Sequence, residues 1–290
     1  MRIAYFDAFA GISGNMVLGA FISAGINVNQ VKEELRKLNQ GEIEIHLSTV
    51  VQSNISAIRA DVAVNGNMEH VTDSTDLPGL IAGVDYSTRL DKDEAYLHSE
   101  GRSYLEIKNL IQNSQLSENV KKRSLTVFKH LARAEMRIHN SSEEEIHFHE
   151  VGSVYSIAEI VGVSACIELS GVEAIYTSPI MVGSGGFVKA QHGVLPIPTP
   201  ATIEILKGYP IILDDMPYEM TTPTGAAIVR AFSRGVIRPM YVEVESIGYG
   251  AGTKEFKKIP GLLRIMIGNI CVHDGQPDLV TKVNVEQDNY

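Results

Sequence analysis

The stretch RIAYFDAFAGISGNMVLGAFISAG, residues 2–25, has the pattern of a strand, a turn and a helix in succession. The apolar run at residues 2–6 predicts a buried strand that ends at Asp7. Residues 10–16 contain two glycines and predict a tight turn. Apolar residues then recur at helical spacing up to Gly25, which is a favourable helix stop. A strand that leads directly into a helix favours an α/β or α+β fold.

Strand-like and helix-like segments alternate along the rest of the chain. Residues 42–50 and 55–64 alternate in polarity and predict an antiparallel pair, and Ser117 opens a long helix. Asn29 is a favourable cap for the helix after Gly25, and Gly171 is a favourable stop for the helix that follows Ser156. Further strands are predicted at AIYTS, YVEVESIGYG and LLRIMIG, and further helices near Pro200 and at Thr222. We therefore expect an α/β or α+β fold with a mixed sheet and interleaved helices.

The domain organisation follows from where this periodicity weakens. Residues 65–102 are rich in Gly, Asp, Ser and Asn and predict a variable loop. We expect one compact domain over residues 1–269 and a tail at 270–290 that begins a truncated second domain.

Composition excludes several classes of function. The formal net charge of −10 argues against nucleic acid as a partner, because phosphate binding relies on clustered Lys and Arg. Cys166 and Cys271 form neither a disulfide framework nor a cysteine-based zinc motif. The chain shows no signal peptide, and no segment approaches the ~20 apolar residues of a membrane span. The sequence thus predicts a cytoplasmic protein with no membrane partner.

The stretch EEEIHFHEVGSVYSIAEI, residues 143–160, contains the pattern most typical of a metal site. On an extended segment His147 and His149 share a face, and Glu150 can supply an oxygen ligand. Such a set suits nickel, zinc or copper, whereas a strand end with exposed histidines is the alternative. Ser156 and Glu159 follow with the spacing of a helix capping box.

Three further segments could bind a small molecule. The turn after Asp7, with Gly11 and Gly14, can direct amides at an anion, or it can simply join a strand to a helix. VGSGGFVKAQHGVLPIPTPAT, residues 182–202, can close over a ligand or form a surface connection. EMTTPTGAA, residues 219–227, places hydroxyls at a helix start, where they suit a phosphate or ordinary capping. The glycines of IGYGAGT, residues 247–253, indicate close backbone approach or turns.

These five motifs, in their order along the chain, closely resemble those of the nickel insertion proteins that make the nickel-pincer cofactor. The resemblance covers about residues 1–269 and is weakest at 65–102. It implies binding of nickel(II) and its insertion into pyridinium-3,5-bisthiocarboxylic acid mononucleotide, a chelatase reaction of the lyase class that serves lactate racemase and related enzymes. It also implies a requirement for CTP with a divalent metal, met by a second domain absent from this sequence. We hypothesise that the chain is the N-terminal part of the protein and acts with a separately encoded C-terminal domain. Association of the chain into a homo-oligomer is left open.

The motifs and the resemblance together predict the site residues. The catalytic residues would be Asp7 and Lys189, and the metal ligands His147, His149, Glu150 and His192. Contacts to the cofactor precursor would come from Gly11, Gly14, Gly185, Thr222 and Thr224.

This sequence departs from the family pattern at several positions. Asn15 and Tyr155 stand where aspartates are usual, and Glu159 where an aspartate is frequent. The variable segment has two separated histidines, His70 and His98, in place of a histidine run. A tyrosine cannot replace a carboxylate ligand. Two alternatives therefore stay open, a non-enzymatic nickel metallochaperone and an inactive paralogue.

Overall fold

The computed structural model describes residues 1–68, 101–148, 151–190, 193–236, 241–254, 256 and 258–271. Its strands are β1 (Arg2–Asp7), β2 (Ile43–Gln52), β3 (Ile55–Val64), β4 (Asn67–Met68), β5 (Arg102–Ser103), β6 (His147–Phe148), β7 (Ala174–Thr177), β8 (Ile180–Gly183), β9 (Phe187–Ala190), β10 (Gly193–Pro196), β11 (Ile211–Asp214), β12 (Ser233–Val236), β13 (Val242–Ala251) and β14 (Leu262–Ile270). Its helices are α1 (Gly14–Ser23), α2 (Val28–Arg36), α3 (Tyr104–Asn113), α4 (Glu118–His139), α5 (Val154–Ser170), α6 (Pro200–Leu206) and α7 (Pro223–Phe232).

One large mixed sheet organises the described part of the chain. Strands β12, β7, β1, β14, β13, β3 and β2 are hydrogen-bonded in this order, and β4 adds to β3. β1 is parallel to β7 and antiparallel to β14, while β12 is parallel to β7. Two-stranded sheets form from β9 with β10, β8 with β11 and β5 with β6. The predicted fold class is confirmed, as is the antiparallel pairing of β2 with β3.

The main core lies between one face of this sheet and the described helices. Phe6 of β1 meets Phe21 of α1 edge to face, with ring centroids 5.8 Å apart. Such a pair contributes about 0.5–1.5 kcal/mol beyond the burial of its area. The opposite face carries a separate small cluster of Ile3, Ala174 and Tyr176. The one-sided packing fixes α1 against the strand that carries Asp7.

Two glycines of β13 allow α1 to lie directly on the sheet. A Cβ at Gly248 would come 2.0 Å from the carbonyl oxygen of Ala20, and one at Gly250 would come 1.8 Å from that of Met16. Neither distance is compatible with a side chain. The close backbone approach predicted for residues 247–253 is therefore confirmed.

Several described helices begin and end where the sequence indicates. Ser117 caps α4 by accepting a hydrogen bond from the amide of Val120, and Gly171, with φ 66°, ends α5. Thr222 caps α7, with Pro223 at its first position. In the part of the chain that the structure describes, no helix is long and apolar enough to cross a membrane.

Two predicted helix starts are wrong. α5 is capped by Ser153, whose Oγ accepts from the Ser156 amide at 3.1 Å, so Ser156 and Glu159 are not a capping box. Starting one turn earlier lets the two residues after Ser153 pack against the main core. α2 is likewise capped by Asn27, which accepts from the amide of Asn29, the residue predicted as the cap.

The variable loop predicted near 65–102 falls mostly outside the described residues, as does the tail beyond residue 271. The described edges of the predicted loop form β4 and β5. At these edges β4 pairs with β3 and β5 with β6.

Candidate functional site

Three described helices direct their amino ends toward the carboxyl end of β1. α1 follows β1 after a short turn. The amide of Thr222, the cap of α7, donates to the carbonyl oxygen of Ile12 in that turn at 3.1 Å. The first turns of α5 also reach this point, because the Glu159 carboxylate lies against Gly14. Ligands of open α/β sheets bind outside the carboxyl ends of the strands, so this edge is the candidate site.

The glycine turn after β1 is held by backbone contacts. Gly11 has φ 87°, and a Cβ on it would lie 2.0 Å from the carbonyl oxygen of Met220. The amide of Ile12 donates to that same oxygen at 3.1 Å. A Cβ at Gly14 would come 2.5 Å from a carboxylate oxygen of Glu159. Close backbone packing therefore requires Gly11, whereas the flexible side chain of Glu159 can move away from an added Cβ at Gly14. Contact of either glycine with a cofactor precursor stays a prediction.

Asp7 ends β1 and is paired with an arginine. Both Nε and Nη2 of Arg264 donate to Oδ2 of Asp7, at 3.1 and 2.5 Å. Oδ1 of Asp7 has no hydrogen-bond partner among the described residues. Burial, and then the negative charge of Asp7, raise the pKa of the neighbouring Tyr5 phenol above its usual value. Arg264 thus fixes one oxygen of Asp7, and the catalytic role of Asp7 stays a prediction.

The histidine motif is described only in part. His147 is exposed on β6 while Phe148 is buried in the core, so the two side chains point to opposite sides as predicted. Its strand pairs with β5, where His147 is opposite Ser103. Glu106 is nearby: hydrogen bonds from Ser103 chiefly lower the pKa of its carboxyl, and His147 adds a smaller electrostatic contribution.

Most of the predicted metal ligands cannot be placed. His149, Glu150 and His192 lie outside the described residues. Among the residues that are described, no group of three or more His, Cys, Asp or Glu side chains could hold a metal ion. The metal site therefore stays a prediction.

The glycine-rich loop after β8 packs against the segment that leads into α7. A Cβ on Gly183 would come 2.1 Å from the carbonyl oxygen of Tyr218, and one on Gly186 would come 2.3 Å from that of Pro217. Gly185 has φ 76°, and no atom lies within 4 Å of the place of its Cβ. Lys189 is partly exposed on β9, in the strand that follows this loop.

The threonines before α7 have different surroundings. Thr221 donates to the carbonyl oxygen of Met181 at 2.7 Å, and Thr222 accepts from the amide of Gly225 at 3.1 Å. Both hydroxyls therefore stabilise the local structure. For Thr222 this is ordinary helix capping, one of the two roles considered for this segment. Thr224 is buried, with 7% of the residue exposed.

The described structure thus brings together the glycine turn, the loop at 183–186, the start of α7 and the first turns of α5. Sequence reasoning missed Arg264 as the partner of Asp7 and Glu159 as the neighbour of Gly14. A charged arginine within the apolar stretch LLRIMIG was the available signal for the first. Glu159 carried no comparable signal, because its spacing from Ser156 pointed to a cap.

Comparisons with known proteins bear on this site. The family described as nickel insertion protein matches residues 4–289. A putative nickel insertion protein of Wolinella succinogenes is 38% identical over 287 residues, which is 99% of this chain and 65% of that protein.

Two relatives carry a more specific name, pyridinium-3,5-bisthiocarboxylic acid mononucleotide nickel insertion protein. The one from Geobacillus kaustophilus is 36% identical over 268 residues, covering 92% of this chain and 60% of its own length. The one from Desulfitobacterium hafniense (strain DSM 10664 / DCB-2) is 38% identical over 296 residues, covering 100% and 65%. The chain thus spans less than two thirds of these relatives. No solved structure matches it.

Proposed function

Because the chain belongs to the nickel insertion protein family, we propose that it binds nickel(II) and inserts the ion into pyridinium-3,5-bisthiocarboxylic acid mononucleotide. The match over residues 4–289 is the observation that carries this proposal. The product is the nickel-pincer cofactor, and the reaction is a chelatase step of the lyase class in the cytoplasm. By the resemblance, CTP and a divalent metal assist through further polypeptide of the kind present in the longer relatives.

Nickel is the cargo of this reaction, and the predicted ligands suit a transit site. His147, His149, Glu150 and His192 offer imidazole and carboxylate groups. Nickel(II) accepts both kinds of ligand, and such a set holds it less tightly than thiolates do. The ion can therefore move on to the sulfur atoms of the substrate. Asp7 and Lys189 are proposed to act at the same edge of the sheet.

A second candidate function is that of a nickel metallochaperone, which passes the ion to a partner without reaction. Tyr155 favours it, because the resemblance leads us to expect a carboxylate at this position. In the structure Tyr155 is partly buried and packs against the main core, so its ring has a packing role in the first turn of α5.

Nickel retention tests the metal-binding part of the proposal. After nickel loading and desalting, the wild-type chain should retain about one nickel per chain by mass spectrometry of the metal. Replacing His147 and His149 together by alanine should lower this well below one. The matched control is His46→Ala, which removes an exposed strand histidine beside Glu44 on β2. Equal retention by all three proteins would reject His147 and His149 as ligands.

Turnover separates the two candidate functions. The chain, nickel and CTP are incubated with the thio acid mononucleotide, and formation of the nickel adduct is followed by mass spectrometry. Adduct formation by the chain alone supports insertion. Adduct that forms only after the hypothesised C-terminal domain is added also supports insertion. If the chain binds nickel, forms no adduct under either condition and passes its nickel to a separate acceptor protein, it is a metallochaperone.

A further inference from the structure

A cleft beside α3 and α4 has the opposite charge to the chain as a whole. Its volume of about 580 Å³ is within the roughly 300–1,000 Å³ that is usual for small-molecule sites. Its charged lining residues are four lysines and two glutamates, namely Lys108, Lys121, Lys122, Lys129, Glu118 and Glu143. The whole sequence has a formal net charge of −10, whereas this lining has an excess of positive groups. The cleft therefore favours an anionic ligand.

Two of these lysines keep an unpaired positive charge within the part of the chain that the structure describes. The two glutamates pair with the other two lysines, at 2.9 and 3.5 Å. The ammonium groups of Lys122 and Lys129 form no ion pair or hydrogen bond with a described residue. Because the two lysines are seven positions apart on α4, they share one face of the helix, about 10 Å apart along its axis. The unpaired charges thus lie along a line rather than at one point.

Tyr104 supplies a hydroxyl donor in the same cleft. The residue is only 6% exposed, and its ring packs edge to face against Phe148, with ring centroids 6.4 Å apart. Its hydroxyl forms no hydrogen bond with a described residue. Burial, and then the charge of Glu143, raise the pKa of this phenol above its usual value, so it stays a donor at neutral pH. Because Tyr104 lines the cleft, this hydroxyl is available to an acceptor that enters it.

From these groups we infer that the cleft binds a linear phosphate anion, a di- or triphosphate, that Lys122 and Lys129 hold together and to which Tyr104 donates. Lysine ammonium groups bind phosphates as point charges. The ~10 Å between the two lysines exceeds the width of a single phosphate group, whereas a chain of phosphates can contact both. None of the described residues proposed for nickel insertion lines this cleft, so it is a separate site.

Calorimetry on the wild-type chain compares inorganic triphosphate with orthophosphate, at constant ionic strength and without divalent metal. Triphosphate should bind at least about tenfold more tightly, the difference expected when one further hydrogen bond to a charged group forms. Absence of triphosphate binding, or equal binding of the two anions, would overturn the proposal.

Adenosine triphosphate distinguishes the two sources of such a ligand. Tighter binding than inorganic triphosphate would support the site as one for a nucleotide. Equal or weaker binding would support it as one for an inorganic polyphosphate.

Variants assign the binding to these side chains. Lys122→Gln combined with Lys129→Gln should weaken triphosphate binding at least about tenfold, because two charged donors are removed. Tyr104→Phe keeps the ring against Phe148 and should weaken binding about tenfold through loss of the hydroxyl. Thermal melting followed by circular dichroism checks that each variant is folded. Wild-type affinity in the double lysine variant would refute the site, and wild-type affinity in Tyr104→Phe would refute the role of the hydroxyl.

The matched control removes the same charge elsewhere. Lys32→Gln combined with Lys207→Gln changes lysines on α2 and at the end of α6, neither of which lines the cleft. This control should bind triphosphate as the wild type does. An equal loss of affinity in both double variants would show attraction to the total charge of the chain, and it would overturn the proposal.

Discussion

Replacing Gly250 by alanine should separate α1 from the sheet. The added Cβ would lie 1.8 Å from the carbonyl oxygen of Met16 and 2.6 Å from the amide nitrogen of Ala20. Both are backbone atoms of α1, so no side-chain rotation can relieve the contact. Carbon–oxygen contacts lie at about 3.3 Å or more, and the helix must therefore withdraw by about 1.5 Å.

The cost follows from what α1 buries. Residues Met16, Val17, Ala20 and Phe21 of this helix are at most 4% exposed. A gap of ~0.5–1 Å already forfeits about a quarter to a half of the dispersion energy of the atoms that line it. We expect a loss of about 3 kcal/mol in the free energy of unfolding, the upper end of the usual range for overpacking. At roughly 2–4 °C per kcal/mol, the melting temperature should fall by about 6–12 °C.

Thermal and urea unfolding, followed by circular dichroism, measure this loss. The matched control is Gly252→Ala, two residues further along the chain. The atom nearest to its added Cβ would be the flexible sulfur of Met16, at 3.4 Å. That variant should melt within about 2 °C of the wild type. Substitutions outside the core usually change the free energy of unfolding by no more than about 0.5 kcal/mol. If Gly250→Ala melted at the same temperature as the control, the direct packing of α1 on β13 would be refuted.

Two further predictions concern titratable groups. Burial, together with the charges of Arg230, Arg133 and Lys129, lowers the pKa of His130 to about 4. The unfolded histidine, with a pKa of about 6.5, binds its proton first as the pH falls, so the free energy of unfolding should drop between about pH 6.5 and 4 by up to about 3 kcal/mol. Urea titrations at several pH values give the free energy of unfolding as a function of pH. For His130→Gln this curve should fall less steeply between about pH 6.5 and 4, and a curve as steep as that of the wild type would contradict the prediction. Burial also raises the pKa of the Cys166 thiol, whereas Cys271 is exposed. Ellman's reagent should therefore titrate one thiol in the native chain and two in urea, and two native thiols would be the contrary result.

The features predicted correctly from sequence are those that depend on a few neighbouring residues. Ser117 and Thr222 cap their helices, and Gly171 ends α5 in the left-handed conformation that favours glycine. Each signal acts within one helical turn, so it can be interpreted without the tertiary structure. The wrong start predicted for α5 has the same origin, because the signal used there was also a local one. Ser153 and Ser156 are both suitable caps, and packing against the core decides between them.

The features that could not be predicted depend on contacts between distant segments. Asp7 and Arg264 are 257 positions apart and become neighbours only because β1 pairs with β14. Glu159 reaches Gly14 only because α5 packs beside α1. Sequence alone indicates that Asp7 ends a strand, but it does not contain the strand order. The motifs could therefore be identified separately, and their common location required the fold.

The contact between the turn after β1 and the start of α7 bears on how the site would bind a ligand. Two glycines make this contact possible, since a Cβ at Gly11 would lie 2.0 Å from the oxygen of Met220 and one at Gly225 would lie 2.1 Å from that of Ile12. Two backbone hydrogen bonds, each 3.1 Å long, cross the same junction. The amino ends of α1 and α7 are therefore fixed relative to each other by backbone packing before any ligand arrives. Because ordering of binding groups is one of the main costs of association, a ligand that binds at this edge would meet a backbone that is already in place.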